Sequence, residues 1–330
     1  NMFNIKDIYP VYKNLLNQTP DVFQNEYYQS MICNYKVYAP KILDIQKHEL
    51  NISSKLNEEF ISSTPSIVQH NGKFLLNLRF VNYRIDNKGN YVNPKQITTF
   101  NECCLLEPDF SCVGRRMFEE KEVTSLYRGI EDIRLFSHDD KIYYSGVVQN
   151  TEIKDKLQMT VSIGEYNIND TSIKQNYLES PVGADCEKNW VLFNHENTLK
   201  VIYKWHPITI GKIENRRFVE EAKIETPYLF NRLRGSTNGI VIENELWFVC
   251  HFTSYEDRRF YYHCLVRLDK KTLKLVDYSK LFTFKGVPIE YCLGMVNQGD
   301  MLFFSCSIMD SSSYLIGVPM CDILTNLFCS

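Results

Sequence analysis

Gly129-Ile-Glu-Asp-Ile-Arg-Leu-Phe-Ser-His-Asp-Asp-Lys-Ile-Tyr-Tyr-Ser-Gly146 is the stretch from which the fold can be read. An acidic pair and an arginine lead into an apolar run. A two-residue Asp-Asp turn follows, then a second apolar run rich in aromatic residues. Two short runs of this kind joined by a tight polar turn read as a β-hairpin.

The layout recurs along the chain. Units begin at Ser63, Glu131, Glu187, Gly235 and Glu290, and their turns are Asn71-Gly72, Asp139-Asp140, Glu196-Asn197, Glu243-Asn244 and Gln298-Gly299. Successive turns lie roughly 47 to 68 residues apart, about the period of a propeller blade. Gln96–Phe100, Leu157–Ile163, Thr209–Ile213 and Tyr262–Leu268 supply third strands, and Leu275–Phe282 an outer one. Long stretches of helical periodicity are absent. The expected fold class is all-β, a five-bladed β-propeller with an irregular N-terminal extension; two packed β-sandwiches are the alternative. The extension covers 1–58 and packs on or closes the ring, with a short helix within Asp21–Met31 and a strand over Cys33–Tyr38. Residues 59–330 are expected to form the propeller as one domain.

Composition agrees with a β-rich globular chain. The 330 residues include 21 Tyr and 20 Phe, 13% aromatic in all, and such residues favour strands. A net charge of −3 without a basic run argues against binding a nucleic-acid backbone. No apolar run nears the ~20 residues of a membrane helix, and the N-terminus lacks the pattern of a secretion signal. Several of the eleven cysteines sit inside apolar runs, as reduced core residues of a cytoplasmic protein do. No CxxC, HxH or HExxH spacing points to a metal, and no cofactor is expected.

In a propeller the inner strands line the axis, so equivalent polar slots of the blades meet there. The converging set is Arg79, Arg84, Glu131, Asp132, Arg134, Glu187, Lys188, Asn189, Lys204, His206, Arg234, Ser236, His251, Tyr262, His263, Glu290, Tyr291 and Asp310. Carboxylates and cations are mixed, with no evident nucleophilic Ser or Cys. That suits general-acid chemistry on a polar, anionic ligand. Each residue has a plainer role open to it. Glu131-Asp132 could bond a turn's backbone, Glu187-Lys188 could be a solvated pair, and His251 could be a satisfied interior histidine.

Gly129-x-Glu-Asp-x-Arg134 before a Tyr-Tyr strand resembles the G-x-E-D-P-R motif of glycoside hydrolase family 130, whose members are five-bladed propellers that include inverting β-mannoside phosphorylases. Glu187-Lys-Asn189 resembles that family's D-K-N segment, and Arg234-Gly-Ser236 with Phe248-Val-Cys-His251 its fourth-blade region. Glu187-Lys-Asn-Trp190, Tyr261-Tyr-His263, Ile289-Glu-Tyr-Cys-Leu-Gly294 and Asp310 are similar to motifs of propeller domains found alone or fused to glycosyltransferases. A related group, glycosyltransferase family 108, uses GDP-mannose on the same fold. Ile133 replaces the motif proline, Glu187 an aspartate, and Phe252 follows His251 where glycine is usual.

The resemblance implies a carbohydrate-active enzyme acting on a β-mannoside-like oligosaccharide or small substrate. Asp132 would be the general acid with Glu131 beside it. Arg134, Lys188 and His251 would hold inorganic phosphate as co-substrate, or the diphosphate of a nucleotide sugar in a transferase. Arg79, Glu187, Asn189, Lys204, Arg234, Ser236, His263, Glu290, Tyr291 and Asp310 would contact substrate. Hydrolysis, and a non-catalytic glycan-binding role, remain the other readings.

Overall fold

The computed structural model describes residues 42–45, 48–86, 90–92, 95–120, 125–255 and 259–328. The helix expected within Asp21–Met31 and the strand at Cys33–Tyr38 lie outside them. Five small antiparallel sheets form a ring, a five-bladed β-propeller. Blade one runs from Ile61–His70 at the axis through Lys73–Val81 and Ile97–Leu106 to Cys112–Met117. Blade two is Glu131–His138, Lys141–Gln149 and Met159–Glu165. Blade three is Val191–His195, Thr198–Trp205, Ile208–Glu214 and Arg217–Ile224. In blade four the inner position is split between Leu233–Gly235 and Ile240–Ile242, followed by Glu245–Tyr255, Arg259–Asp269 and Leu275–Tyr278. Blade five is Glu290–Gln298, Met301–Ile308 and Ser312–Pro319, and its outermost strand is His48–Asn51 from the N-terminal side. Ring closure therefore joins the first described strand to the last, with Glu49 opposite Ile316.

The repeat exists because a single four-stranded sheet cannot bury both of its faces. Strand side chains alternate between faces, so each blade offers one apolar surface to the blade before it and one to the blade after. In blade one Leu75 joins the core shared with blade two, while its neighbours Phe74 and Leu76 join the core shared with blade five. Three further clusters fill the remaining seams. Trp190 and Leu192 pack on Phe136 and Val161, Phe193 and Trp205 on Phe248 and Cys250, and Trp247 and Phe282 on Met295 and Phe304. Each fully buried aromatic or aliphatic side chain contributes about 1.5–3 kcal/mol. The cysteines at 250, 264, 292 and 306 are buried, and the nine among the described residues are free thiols. Short C-terminal helical turns, Met320–Ile323 and Leu324–Phe328, add Ile323 and Leu327 to the last seam beside Ile42. No helix of the described residues is long and apolar enough to cross a membrane.

Candidate functional site

The inner strands start at one mouth of the central channel, and there they are irregular. In blade two Ser145 pairs with Arg134 and Val147 with Glu131, so Asp132 and Ile133 together oppose Gly146 as a β-bulge. Asp132 takes a left-handed φ of 52°, a conformation Asp tolerates better than most residues. A bulge re-aims its side chain; here it turns the Asp132 carboxyl into the mouth while Ile133 drops into the core. Two glycines make room. A Cβ at Gly146 would meet Ile130 at 2.6 Å, and one at Gly129 would strike the Thr99 carbonyl at 2.2 Å. Blade one has a matching irregularity between Ser63 and Ser66, with Thr64 at φ 20°. Asn189 and Asp310 also adopt positive φ, 65° and 47°.

These residues line a pocket of about 600 Å³. One side of it is acidic. Arg79 Nη1 donates to Asp132 Oδ1 at 2.8 Å, and its Nη2 lies 3.4 Å from Glu131 Oε1. Asp310 accepts from Ser63, Ser307 and the Tyr83 hydroxyl, the last at 3.0 Å. Burial pushes the Glu131 and Asp310 carboxyls above their usual range, against the pull of Arg79. The Glu131 side chain still keeps 20% of its surface open.

The other side is cationic. Lys188 and Arg234 are exposed on it, and neither meets a carboxylate among the described residues. Arg234 instead donates to the backbone carbonyls of Asn231 and Leu233. Burial and then its neighbour Arg232 lower the pKa of Arg234. His251 Nδ1 lies 2.8 Å from Ser236 Oγ, and its ring stands edge-on to Tyr291. Burial, then His263, Arg134, Lys188 and Arg234, hold His251 far below the usual histidine range, so its ring is neutral. With Ser236 as donor to Nδ1, the proton sits on Nε2, which has no partner among the described residues.

Of the residues singled out from sequence, the pocket gathers Arg79, Glu131, Asp132, Lys188, Asn189, Arg234, His251, Tyr291 and Asp310. The others lie elsewhere. Arg134 is buried below the pocket floor. It donates to the carbonyls of Asp132, Gly235 and Ser236, to Asn189 Oδ1, and to the Tyr291 hydroxyl. Its guanidinium thus ties four blades together and orients two pocket residues. Ser236 is buried with it and reaches the pocket only through His251. Glu187 is held by Ser180, Trp190 and Tyr203. Lys204 sits on the outside over the Tyr203 ring. His263 is buried against Phe282 and Phe284 with neither ring nitrogen bonded. Glu290 accepts the backbone N–H groups of Phe284, Lys285 and Val287, fixing that loop. Arg84 bonds backbone carbonyls of Tyr83, Glu58 and Glu59, His206 lies beside Thr226, and Tyr262 is core.

Sequence reasoning missed an aromatic wall: Tyr83, Tyr91, Tyr127 and Tyr261, with Arg259. The Arg259 guanidinium lies 5.6 Å from both the Tyr91 and Tyr261 ring centres. Period-two alternation offered one usable signal. Tyr261 shares a strand face with Arg259 and His263, whereas Tyr262 points the other way. Tyr83 and Tyr91 flank an insertion outside the repeat, and nothing in the pattern marked them.

No family model matches the chain, and no curated protein sequence matches it. Solved structures do. The chain is similar to a β-1,2-mannobiose phosphorylase from Listeria innocua, solved with β-1,2-mannobiose, at TM-score 0.57 and 14% identity over 83% of this chain and 95% of that one. A structure of family 130 glycoside hydrolases described as targeting β-1,2 mannosidic linkages in Candida mannan aligns at TM-score 0.54, with 12% identity over 78% and 83%. A GDP-Man-dependent mannosyltransferase from Leishmania mexicana aligns at 0.54, with 11% identity over 83% and 91%. The chain therefore shares the five-bladed propeller fold of the family 130 mannoside phosphorylases.

Proposed function

We propose that this chain is a carbohydrate-active enzyme that cleaves a β-mannoside-like glycoside by inverting phosphorolysis. The observation that carries the reading is the division of one pocket into a carboxyl pair on Arg79 and two facing exposed cations, Lys188 and Arg234, which meet no carboxylate among the described residues. In this reading Asp132 passes a proton to the glycosidic oxygen, directly or through a sugar hydroxyl. A phosphate oxygen attacks the anomeric carbon from the opposite face, the bond to the leaving sugar breaks, and a sugar 1-phosphate of inverted configuration forms. Glu131 stands beside Asp132 on Arg79, its carboxyl held above the usual range by burial. Lys188, Arg234 and the Nε2–H of His251 seat the phosphate, since charge-assisted donors suit its oxygens. Arg134 works from beneath, by orienting Asn189 and Tyr291. The tyrosines remain neutral phenols, because burial raises the pKa of Tyr83, Tyr261 and Tyr291; they offer ring faces and hydroxyls to a sugar. Sugar 1-phosphate released from a manno-oligosaccharide only when phosphate is present is the expected result. Equal turnover by Asp132→Asn would overturn it, and reducing sugar released without phosphate would replace phosphorolysis by hydrolysis.

A second reading, transfer from a nucleotide sugar, is favoured by the Tyr91–Arg259–Tyr261 wall, whose stacked guanidinium and rings could receive a base. Thermal shift separates the two. A nucleotide sugar at a hundredfold excess over Kd stabilises by about 2.7 kcal/mol, and no shift with any of them removes this reading.

A further inference from the structure

The proposed reaction gives Arg259 no part. This residue opens the strand Arg259–Asp269 and lines the charged pocket. Its guanidinium lies 5.6 Å from the ring centres of both Tyr91 and Tyr261, and the Tyr91 side chain takes one of its hydrogen bonds. Tyr91 comes from the short ladder of Arg84–Ile85 with Tyr91–Val92, an insertion outside the repeat, and its ring packs edge-on to Tyr83. Two segments distant in sequence thus fix one guanidinium at the pocket wall. Rings engage the faces of a guanidinium, whereas its N–H donors point outward in its plane. Nε is buried, so the edge left for a ligand is that of the two Nη groups.

Arg259 meets no carboxylate among the described residues. Asp310, which also lines the pocket, is engaged by Ser63, Ser307 and the Tyr83 hydroxyl instead. The phosphate seat lies deeper. Arg259 pairs with Tyr255, four residues beyond His251 on the neighbouring strand, which at about 3.3 Å per residue sets the two levels about 13 Å apart along the strand. A guanidinium offers donors only. A neutral sugar laid on this wall strips water from it and leaves the charge unpaired, which is costly. An oxyanion offsets that cost through charge-assisted, bidentate bonds. On a pyranose ring stacked against Tyr91 or Tyr261, the exocyclic carbon is the substituent that reaches furthest out.

We propose that the substrate is an acidic glycoside: the hexose at the Tyr91–Tyr261 wall carries an oxyanion, phosphate or carboxylate, on its exocyclic carbon, and Arg259 selects it. This rests on the reading of the pocket as a glycoside site. Arg259 is then a specificity residue, separate from Lys188, Arg234 and His251, which seat the co-substrate phosphate.

The test is calorimetric titration of the full chain with mannose, mannose 6-phosphate and mannuronate, each in saturating inorganic phosphate so that the seat at Lys188 is filled. Wild type should bind one of the anionic sugars roughly tenfold or more tightly than mannose, and the tighter of the two names the group. Arg259→Gln should lose the preference and keep its affinity for mannose. Arg259→Lys, which retains the charge but not the planar fork, should keep part of the preference. Unchanged melting temperatures check that both variants fold. Equal affinity for charged and neutral sugars, or binding of neither, overturns the proposal. So does a preference that survives Arg259→Gln, or one seen only without inorganic phosphate, which would put the oxyanion on the phosphate seat. Because the readout is binding, a chain that turns over no glycoside removes phosphorolysis and leaves this preference measurable. Turnover of neutral manno-oligosaccharide without any such preference leaves phosphorolysis standing and removes the acidic group.

Discussion

The two mouths of the central channel are made by opposite ends of the same strands, yet they share almost no chemistry. At the strand starts, bulges at Asp132–Ile133 and Thr64–Pro65 break the ladder and turn polar side chains inward. Three carboxyls, five cations and a neutral imidazole collect there. At the strand ends the pairing is regular through His70, His138, His195 and Gln298. Side chains there alternate without interruption, and the lining is apolar with neutral amides. The difference teaches that charge in this fold is placed by irregular backbone rather than by strand position alone. Between the two mouths lies Arg134, a cation the fold consumes for its own connection.

The sharpest way to break this contrast is to remove the acid from the charged mouth. Asp132→Asn should lower turnover by roughly 10²–10⁴-fold, the range for lost proton transfer, measured on manno-oligosaccharide with phosphate. Asn297→Ala at the neutral mouth should leave that rate untouched. Next is the waist. Arg134→Leu leaves the carbonyls of Asp132, Ser236 and Gly235, the Asn189 side chain and the Tyr291 hydroxyl without their donor. Each acceptor left unpaired should cost about 1–3 kcal/mol in denaturant unfolding. Loss of activity with full stability would instead put Arg134 at the substrate.

Lys188→Ala should raise the KM for phosphate about tenfold, one exposed charge contact, with the KM for sugar little changed. An equal rise in both would mean that the cationic side is not an anion seat.

Acid stability sharpens the comparison from the core side. Burial lowers the His263 pKa from 6.5 to about 3, and His251 is also depressed. Between those limits the unfolded chain takes up protons that the folded chain refuses. The stability contributed by the neutral rings is therefore full above pH 6.5 and is lost progressively as pH falls toward 3. His263→Phe, in a site already walled by Phe282 and Phe284, should flatten that decline. It should also add about 1–3 kcal/mol at pH 7 by removing two unpaired buried nitrogens. His251→Phe should flatten acid stability too, but at the cost of phosphate affinity. A His263→Phe protein with an unchanged acid profile would show that this ring is not the depressed group.

Much of the site was legible because it lies on the repeat. Asp132, Lys188, Asn189 and Tyr291 stand near the starts of blades, where polar residues precede apolar runs, and His251 follows the apolar run of the second strand of blade four, opposite Arg234. The residues that fell away did so for local reasons a linear pattern does not carry. Glu187 is one residue before Lys188 and points to Ser180 and Trp190 instead. Glu290 turns back onto its own loop. Lys204 lies one strand further from the axis. Tyr91 and Arg259 come from segments outside the inner strands, and only ring closure brings them within 5.6 Å.

By itself the sequence determined the number of blades, their hairpins and the apolar alternation that joins them, because these depend on residue type at short range. It also placed an acidic pair and an arginine before the second blade. Only the tertiary structure decided that Asp132 faces the pocket while Ile133 and Arg134 do not. That choice rests on a bulge made possible by Gly146 and Gly129, and on the buried acceptors from three other blades that claim the Arg134 guanidinium.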